Sequence, residues 1–176
     1  APAEPRAVTV DAGESFTSDL LTVTVESATI ADSLESQYLE PEPGFRVLIV
    51  AMEVTNHADR TIGATNTTPG VTSMLFDDRD PVIAPGVAVE DEVPIAWYAD
   101  GVGRSPSFQP ELPTRFEVAW VIPADALLDG DDVRIDVHDF AIVTGQIIVS
   151  EHSRRFRVDG VAASITVPVI DAGVGP

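Results

Sequence analysis

The segment DGDD (129–132) places three carboxylates within four residues. Hard cations such as Ca²⁺ are bound by about six to eight oxygen ligands, and acidic loops at strand ends can supply them. Asp129, Asp131 and Asp132 are therefore candidate Ca²⁺ ligands. The alternative is a solvated turn, because the EF-hand spacing is missing and Asp-Gly is a common pair in tight turns.

A second candidate site is the corner Asn56-His57-Ala58-Asp59-Arg60, which crowds His, Asp and Arg into a short polar stretch. Catalysis or metal binding there would need partners from other strands, and the sequence indicates none. We therefore assign Asn56 and His57 as candidate partner-binding residues. The alternative is a strand-to-loop transition, in which Asn tolerates the left-handed backbone conformation and caps backbone groups.

The aromatic residues Trp97, Tyr98 and Phe108 flank the long polar loop 98–113. Aromatic side chains beside a polar loop are typical of protein-binding surfaces, so all three are candidate partner-binding residues. Trp97 could equally join Trp120 in filling a core between two sheets.

Other catalytic classes lack their sequence signatures. The chain has no Cys, which removes thiolate catalysis and Fe–S clusters. Its three His residues show no zinc-binding spacing, and G-x-S-x-G and phosphate-binding Gly loops are missing. A carboxylate pair for glycoside hydrolysis stays open, since any two of the 29 acidic residues could face each other. We predict a non-enzyme with no cofactor, or with Ca²⁺ alone.

The charge balance restricts the partners. Ten Arg and no Lys stand against 29 Asp plus Glu, giving a formal net charge of −19. This charge repels nucleic acid and anionic membrane surfaces. No apolar run approaches the ~18 residues of a membrane-spanning helix.

Strands must position these candidates. LLTVTVESATI (20–30) alternates apolar and polar residues with a period of two, which predicts a half-buried strand. FRVLIVAMEVT (45–55) is apolar on both parities, which predicts a central strand covered on both faces over most of its length. Further strands are predicted at 71–76, 93–98, 115–122, 132–140, 145–150 and 154–170.

Short strands at regular spacing, separated by Gly, Pro, Asn and Asp, favour an all-β sandwich. One helical turn is predicted near 123–128, between Pro123 and Gly130. The predicted core is Val23, Val25, Leu48, Val50, Met52, Phe116, Val118, Trp120, Ile135 and Val137.

Two segments resemble a known family. They are PGFRVLIVAMEVTN, whose Gly44-to-Asn56 pattern is the more specific, and FEVAWVIP, residues 116–123. Over residues 8–140 the chain resembles the DUF4352-type immunoglobulin-like domains of exported bacterial proteins and lipoproteins, a group that includes the mycobacterial MPT63-like antigens. The resemblance implies an immunoglobulin-like antiparallel β-sandwich outside the cytoplasm, and it implies no catalytic residues.

One domain at 7–170 is the economical interpretation, with a flexible N-terminal spacer at 1–6 and a tail at 171–176. The start APAEPRA is typical of a spacer after a removed export signal. We therefore predict an extracellular or cell-surface domain, without a membrane span and with a possible N-terminal lipid anchor.

Loops held on a scaffold usually carry recognition. The predicted function is contact with a protein or cell-envelope partner through loops 31–44, 56–70 and 98–113. A Ca²⁺-dependent adhesion module and a hydrolase with a carboxylate pair are the alternatives.

Overall fold

The computed structural model describes residues 7–65, 72–76, 82–90, 94–101, 103–104, 106–144 and 154–173. Within these residues the chain consists of strands and turns, and the only helical element is a 3-10 turn at Glu35–Gln37. The strands are β1 (Val8–Asp11), β2 (Ser15–Thr17), β3 (Leu21–Ala31), β4 (Phe45–Asn56), β5 (Ile62–Thr65), β6 (Thr72–Phe76), β7 (Ile83–Pro85), β8 (Ile95–Tyr98), β9 (Ser107–Phe108), β10 (Thr114–Pro123), β11 (Asp132–Thr144) and β12 (Arg154–Gly173). The all-β prediction is confirmed.

The long strand β12 links two halves of a sheet that encloses the core. Its earlier part pairs with β11 and β1 and ends that pairing at Pro168, while Val169 and the residues after it pair with β3. The order is β7-β11-β12-β3-β4-β10-β8, with β2 beside β3. A proline cannot donate to a sheet ladder, so Pro168 suits the point where β12 leaves β11. A smaller sheet has the order β6-β5-β9.

The sheet is mixed rather than purely antiparallel, which corrects the strand directions expected from the resemblance. β12 runs parallel to β3 and to β1, and β5 runs parallel to β6. All other pairs of strands in the described ranges are antiparallel. Alternation of apolar residues fixes which face of a strand is buried but not the direction of its neighbour.

β3 follows the predicted alternation and then shifts by one position. Leu21, Val23 and Val25 are fully buried. The register with β4 shifts between Val25 and Ser27, so burial continues at Ala28 and Ile30. A bulge of this kind moves the inward parity by one residue.

β4 is covered on both faces over its first half. Leu48 and Met52 are fully buried in the main core, on one face of the strand. Val47, on the other face, is also fully buried and packs in a smaller cluster with Leu34 and Trp97. The prediction of a doubly covered central strand is confirmed for this half.

The predicted core residues all lie inside. They are at most 5% exposed: Val23, Val25, Leu48, Val50, Met52, Phe116, Val118, Trp120, Ile135 and Val137. β12, which pairs with β11, β1 and β3, adds Ala163, Ile165, Val167 and Val169 to this core.

The helical turn predicted near 123–128 is wrong, because the chain makes a tight turn there that is not helical. Pro123 is still paired with Phe45 at the end of β10, and a tight turn follows in which Ala126 N–H donates to the Pro123 carbonyl at 3.0 Å. Because Pro123 is held in the sheet, it does not start a helix, and residues 124–131 form turns instead. The last strand reaches Gly173, three residues past its predicted end. The predicted strand at 145–150, the spacer at 1–6 and residues 174–176 lie outside the described residues.

Candidate functional site

Asn56, the last residue of β4, is a buried anchor for two loops. Its Nδ2 donates to the carbonyls of Arg60 at 2.6 Å and Phe108 at 2.9 Å, and its Oδ1 accepts from Ala58 N–H at 2.8 Å. Its backbone carbonyl accepts from Glu111 N–H at 2.7 Å. The side chain is 0% exposed. Asn56 therefore cannot touch a partner in this structure, which corrects its assignment as a partner-binding residue.

His57 lies between a threonine and a glutamate. Its Nε2 is 2.7 Å from Thr22 Oγ1, and its Nδ1 is 3.0 Å from Glu111 Oε2. A hydroxyl, an imidazole and a carboxylate in this order resemble a hydrolase relay. Acyl transfer also needs N–H donors aimed at the developing oxyanion, whereas Thr22 lies inside β3, paired with Thr17 and Thr55 on its two sides. The contacts of His57 therefore connect β3, the end of β4 and the segment before β10.

Two of the three candidate aromatic residues lie in the interior. Phe108 is fully buried, with its ring centroid 5.0 Å from that of Phe116. Trp97 is 5% exposed, and its Nε1–H donates to Glu117 Oε2 at 2.8 Å. Their assignment as direct partner contacts is corrected, because both side chains support the surface from beneath.

Tyr98 borders a groove of about 600 Å³ between the end of β8 and the start of β10. Its hydroxyl accepts a hydrogen bond from Ser107 N–H at 3.0 Å. On the rim, Leu112 is 56% exposed and the Arg115 side chain 66% exposed. We call this feature the 98–115 groove; its lining includes Tyr98, Ser107, Gln109, Leu112, Thr114 and Arg115.

Asp100 and Arg115 are the charged residues of the groove lining, and Arg115 lies on β10. Its guanidinium lies 3.2 Å from Glu26 Oε1 and 3.3 Å from Glu53 Oε2. These carboxylates belong to β3 and β4, so the arginine reaches across β4 and is held in place along the sheet. Exposed pairs of this kind contribute little stability, which leaves Arg115 free to exchange partners on binding.

A second, smaller depression of about 230 Å³ lies where two hairpins meet. One hairpin is closed by reciprocal hydrogen bonds between Leu34 and Leu39, and the other by pairing of Trp97 with Arg104. Arg104 joins them, donating from Nε to Gln37 Oε1 at 3.1 Å and from Nη2 to the Gln37 carbonyl at 2.7 Å. We call this depression the Tyr38 pocket; it is lined by Ser36, Gln37, Tyr38, Trp97, Gly101, Gly103 and Arg104.

The three predicted Ca²⁺ ligands make separate local contacts in this structure, and Ca²⁺ binding stays a prediction. Asp129 Oδ1 accepts from Asp171 N–H at 2.9 Å, and Asp131 Oδ2 accepts from Leu128 N–H at 2.9 Å. Asp132 begins β11, opposite Pro168. Among the residues that the structure describes, no group of three or more His, Asp and Glu side chains could hold a metal ion.

The positive charge near Asp129 and Asp171 is the guanidinium of Arg46. Arg46 binds Asp171 through two hydrogen bonds of 2.8 and 3.1 Å and Asp32 through one of 2.9 Å. The Arg46 hydrogen bonds, followed by one from Gly173 N–H, lower the pKa of Asp171 below its usual value. The bonds to Asp171 also raise the pKa of Arg46. The acidic residues here are organised around a side-chain cation.

Sequence reasoning did not single out Tyr38, Arg104, Leu112 or Arg115, although the first three lie in the predicted recognition loops 31–44 and 98–113. For these three, a large side chain within a loop of small and polar residues was the available signal, whereas Arg115, at the start of a predicted strand, offered none. Their neighbours come from strands distant in sequence, so the convergence itself was not visible. Of the predicted partner-binding residues, only His57 and Tyr98 reach the surface, each in part.

Within the described part of the chain, no helix is long and apolar enough to cross a membrane. In comparisons with known proteins, no family model matches the chain and no curated protein matches its sequence. The resemblance to DUF4352-type domains therefore stays a prediction.

Two solved structures are similar to this chain. One is an uncharacterized β-sandwich protein from Clostridium difficile, with 14% identity and a TM-score of 0.45 over 96% of this chain and 97% of that one. The other, named as a candidate lipoprotein of Bacillus subtilis, has 9% identity and a TM-score of 0.35 over 83% of this chain and 38% of that one.

Proposed function

We propose that the protein is a non-enzymatic, exported or cell-surface β-sandwich domain that binds a protein partner through the 98–115 groove. The observation that carries the proposal is the groove itself. It is concave, it is built from loop residues next to two strands, and its rim presents an exposed leucine and an exposed arginine.

The chemistry of the groove supports recognition. Tyrosine and arginine are enriched at protein interfaces, and both are present here beside Leu112. A partner side chain that covers Leu112 would remove its exposed apolar surface from water.

The groove is also held rigidly. Tyr98 and Arg115 lie on strands of the main sheet, and Leu112 follows Glu111, whose backbone is bound to Asn56. Pre-organised loops bind with a smaller loss of conformational entropy. The Asn56 corner thereby contributes to recognition without contacting the partner.

Export or surface display is the other half of the proposal. It is supported by the resemblance of two segments to exported domains and by the start APAEPRA, which is typical of a spacer after a removed export signal. An N-terminal lipid anchor is the proposed means of tethering. Fractionation of source cells, with an antibody against the domain, tests this part, and a purely cytoplasmic signal contradicts it.

The binding half is tested with purified, fluorescently labelled domain added to intact source cells. We expect saturable binding that weakens at least tenfold in Leu112→Asp and in Arg115→Ala. Leu128→Asp is the matched control, since Leu128 is 62% exposed but lies beyond the opposite end of β10. Equal binding by all variants contradicts the proposal.

A further inference from the structure

Tyr38 is an exposed aromatic residue in an unfavourable backbone conformation. Its φ is 56° and its surface is 92% exposed. The left-handed region disfavours residues with a Cβ, and glycine or asparagine usually occupies such positions in tight hairpins. No packing gain offsets this cost, because the ring is in solvent. The ring is therefore available for contact with a ligand.

The hairpin that carries Tyr38 is fixed to the scaffold. Leu34, at its base, is 2% exposed and packs with Val47 and Trp97 in the smaller core cluster. The reciprocal hydrogen bonds between Leu34 and Leu39, of 2.8 and 3.0 Å, close the hairpin. The ring is held at the edge of the Tyr38 pocket on a short, closed loop.

The remaining pocket lining offers planar polar groups. Gln37 and Arg104 are joined by two hydrogen bonds, which use two of the five guanidinium N–H groups and leave three directed elsewhere. No carboxylate of the described residues is paired with Arg104, whereas Arg46, Arg60, Arg115 and Arg134 each have at least one. Gly101 and Gly103 add no side chain to the lining, while the Gly101 N–H and the Gly103 carbonyl are hydrogen-bonded to the backbone of Tyr98.

We infer that the Tyr38 pocket binds an uncharged saccharide. A sugar ring offers a C–H face that stacks on an aromatic ring and hydroxyl groups that accept from planar donors such as Arg104 and Gln37. A peptide anchor would require an apolar hole, but the lining between Tyr38 and the largely covered Trp97 is polar or glycine. The volume of about 230 Å³ suits one ring, and the net charge of −19 disfavours polyanionic ligands.

This site is separate from the 98–115 groove, although the segment 97–104 contributes to both. A saccharide in the Tyr38 pocket and a protein in the groove would place the domain on a glycan-bearing surface. The inference does not depend on the proposed protein partner.

The test is a titration of ¹⁵N-labelled protein with chitotriose and with maltotriose, followed by NMR. We expect the indole N–H of Trp97 and the amides of 36–38, 101, 103 and 104 to shift saturably with at least one of them, with a dissociation constant of about 1 mM. Tyr38→Gly removes the ring and suits the backbone, so it folds at least as well as the wild type. It should weaken binding at least tenfold.

Two further variants separate stacking from fold. Tyr38→Phe keeps the ring and should bind within about threefold of the wild type. Leu112→Asp changes only the 98–115 groove and should leave saccharide binding unchanged. The inference would be overturned if neither trisaccharide caused saturable shifts, or if Tyr38→Gly left the shifts unchanged. It would also be overturned if N-acetyl-leucine amide, and neither trisaccharide, bound saturably at the same resonances.

Discussion

Asn56 shows how one buried polar side chain can organise a recognition surface. Its amide satisfies one backbone N–H and two carbonyls from three different residues, all inside the protein. Those residues start the loop after β4 and end β9. The position of the 98–115 groove thus depends on a residue that is not part of its lining.

Replacing Asn56 leaves buried groups without partners. We expect Asn56→Ala to lower the free energy of unfolding by about 3 kcal/mol, since each buried unsatisfied group costs about 1–3 kcal/mol. Asn56→Asp should cost at least as much, because a carboxylate would face the two carbonyl oxygens. Urea denaturation measures both. Asp59→Ala, at an 89% exposed side chain, is the control and should change stability by less than about 0.5 kcal/mol.

Asp171 makes a pH-dependent contribution to the free energy of unfolding, and the sign of this contribution follows from its lowered pKa. Its pKa is lowered in the folded state by Arg46 and then by Gly173 N–H. The folded state is therefore favoured above the unfolded pKa of about 3.9, and this contribution is lost as the pH falls through the lower folded pKa. Unfolding of Asp171→Asn, followed from pH 6 downward, should show a shallower loss of stability in acid than the wild type. Parallel profiles would show that the pair contributes nothing.

The hairpin Leu34–Leu39 is the element whose strain is easiest to measure. Glycine at position 38 removes the Cβ that disfavours φ near 56°. Tyr38→Gly should therefore raise the free energy of unfolding by about 1 kcal/mol, an unusual sign for a glycine substitution. Thermal unfolding checks this. Gly44→Ala is the opposite control, since Gly44 has φ of 94° and alanine should destabilise there.

Individual strands were predictable because the pattern of buried and exposed positions in a strand is visible as a pattern of apolar and polar residues in the local sequence. β3 and β4 were expected from alternation and from apolar runs, and Val23, Met52 and Trp120 lie in the core as predicted. The parallel pairing of β12 with β3 was not predictable, since it joins residues about 140 positions apart. The candidate site depended on such long-range contacts. Tyr98 was found from its neighbours in sequence, whereas Arg115 needed the fold.

At the scale of the whole molecule, the net charge of −19 opposes compactness. Raising NaCl from 0.01 to 1 M shortens the screening length from about 30 Å to 3 Å. The melting temperature should therefore rise with salt. Calorimetry at several salt concentrations tests this, and a melting temperature independent of salt would show that the charges are already balanced locally.

The same experiment separates general screening from a specific metal site. At matched ionic strength, CaCl₂ and MgCl₂ should raise the melting temperature equally, because Asp32 and Asp171 are already paired with Arg46 and Asp129 accepts from a backbone N–H. A ligand that binds the folded state alone adds stability with its concentration. A rise found only with Ca²⁺ would support the Ca²⁺-dependent alternative.

Photo-crosslinking from the 98–115 groove tests the central claim most directly. A photo-crosslinking amino acid is placed at Leu112, and in a second protein at Leu128, and each is irradiated on intact source cells. The account predicts a discrete protein adduct from position 112 that competes with unlabelled wild type and is missing from position 128. No protein adduct from position 112, or the same adduct from both positions, would contradict it.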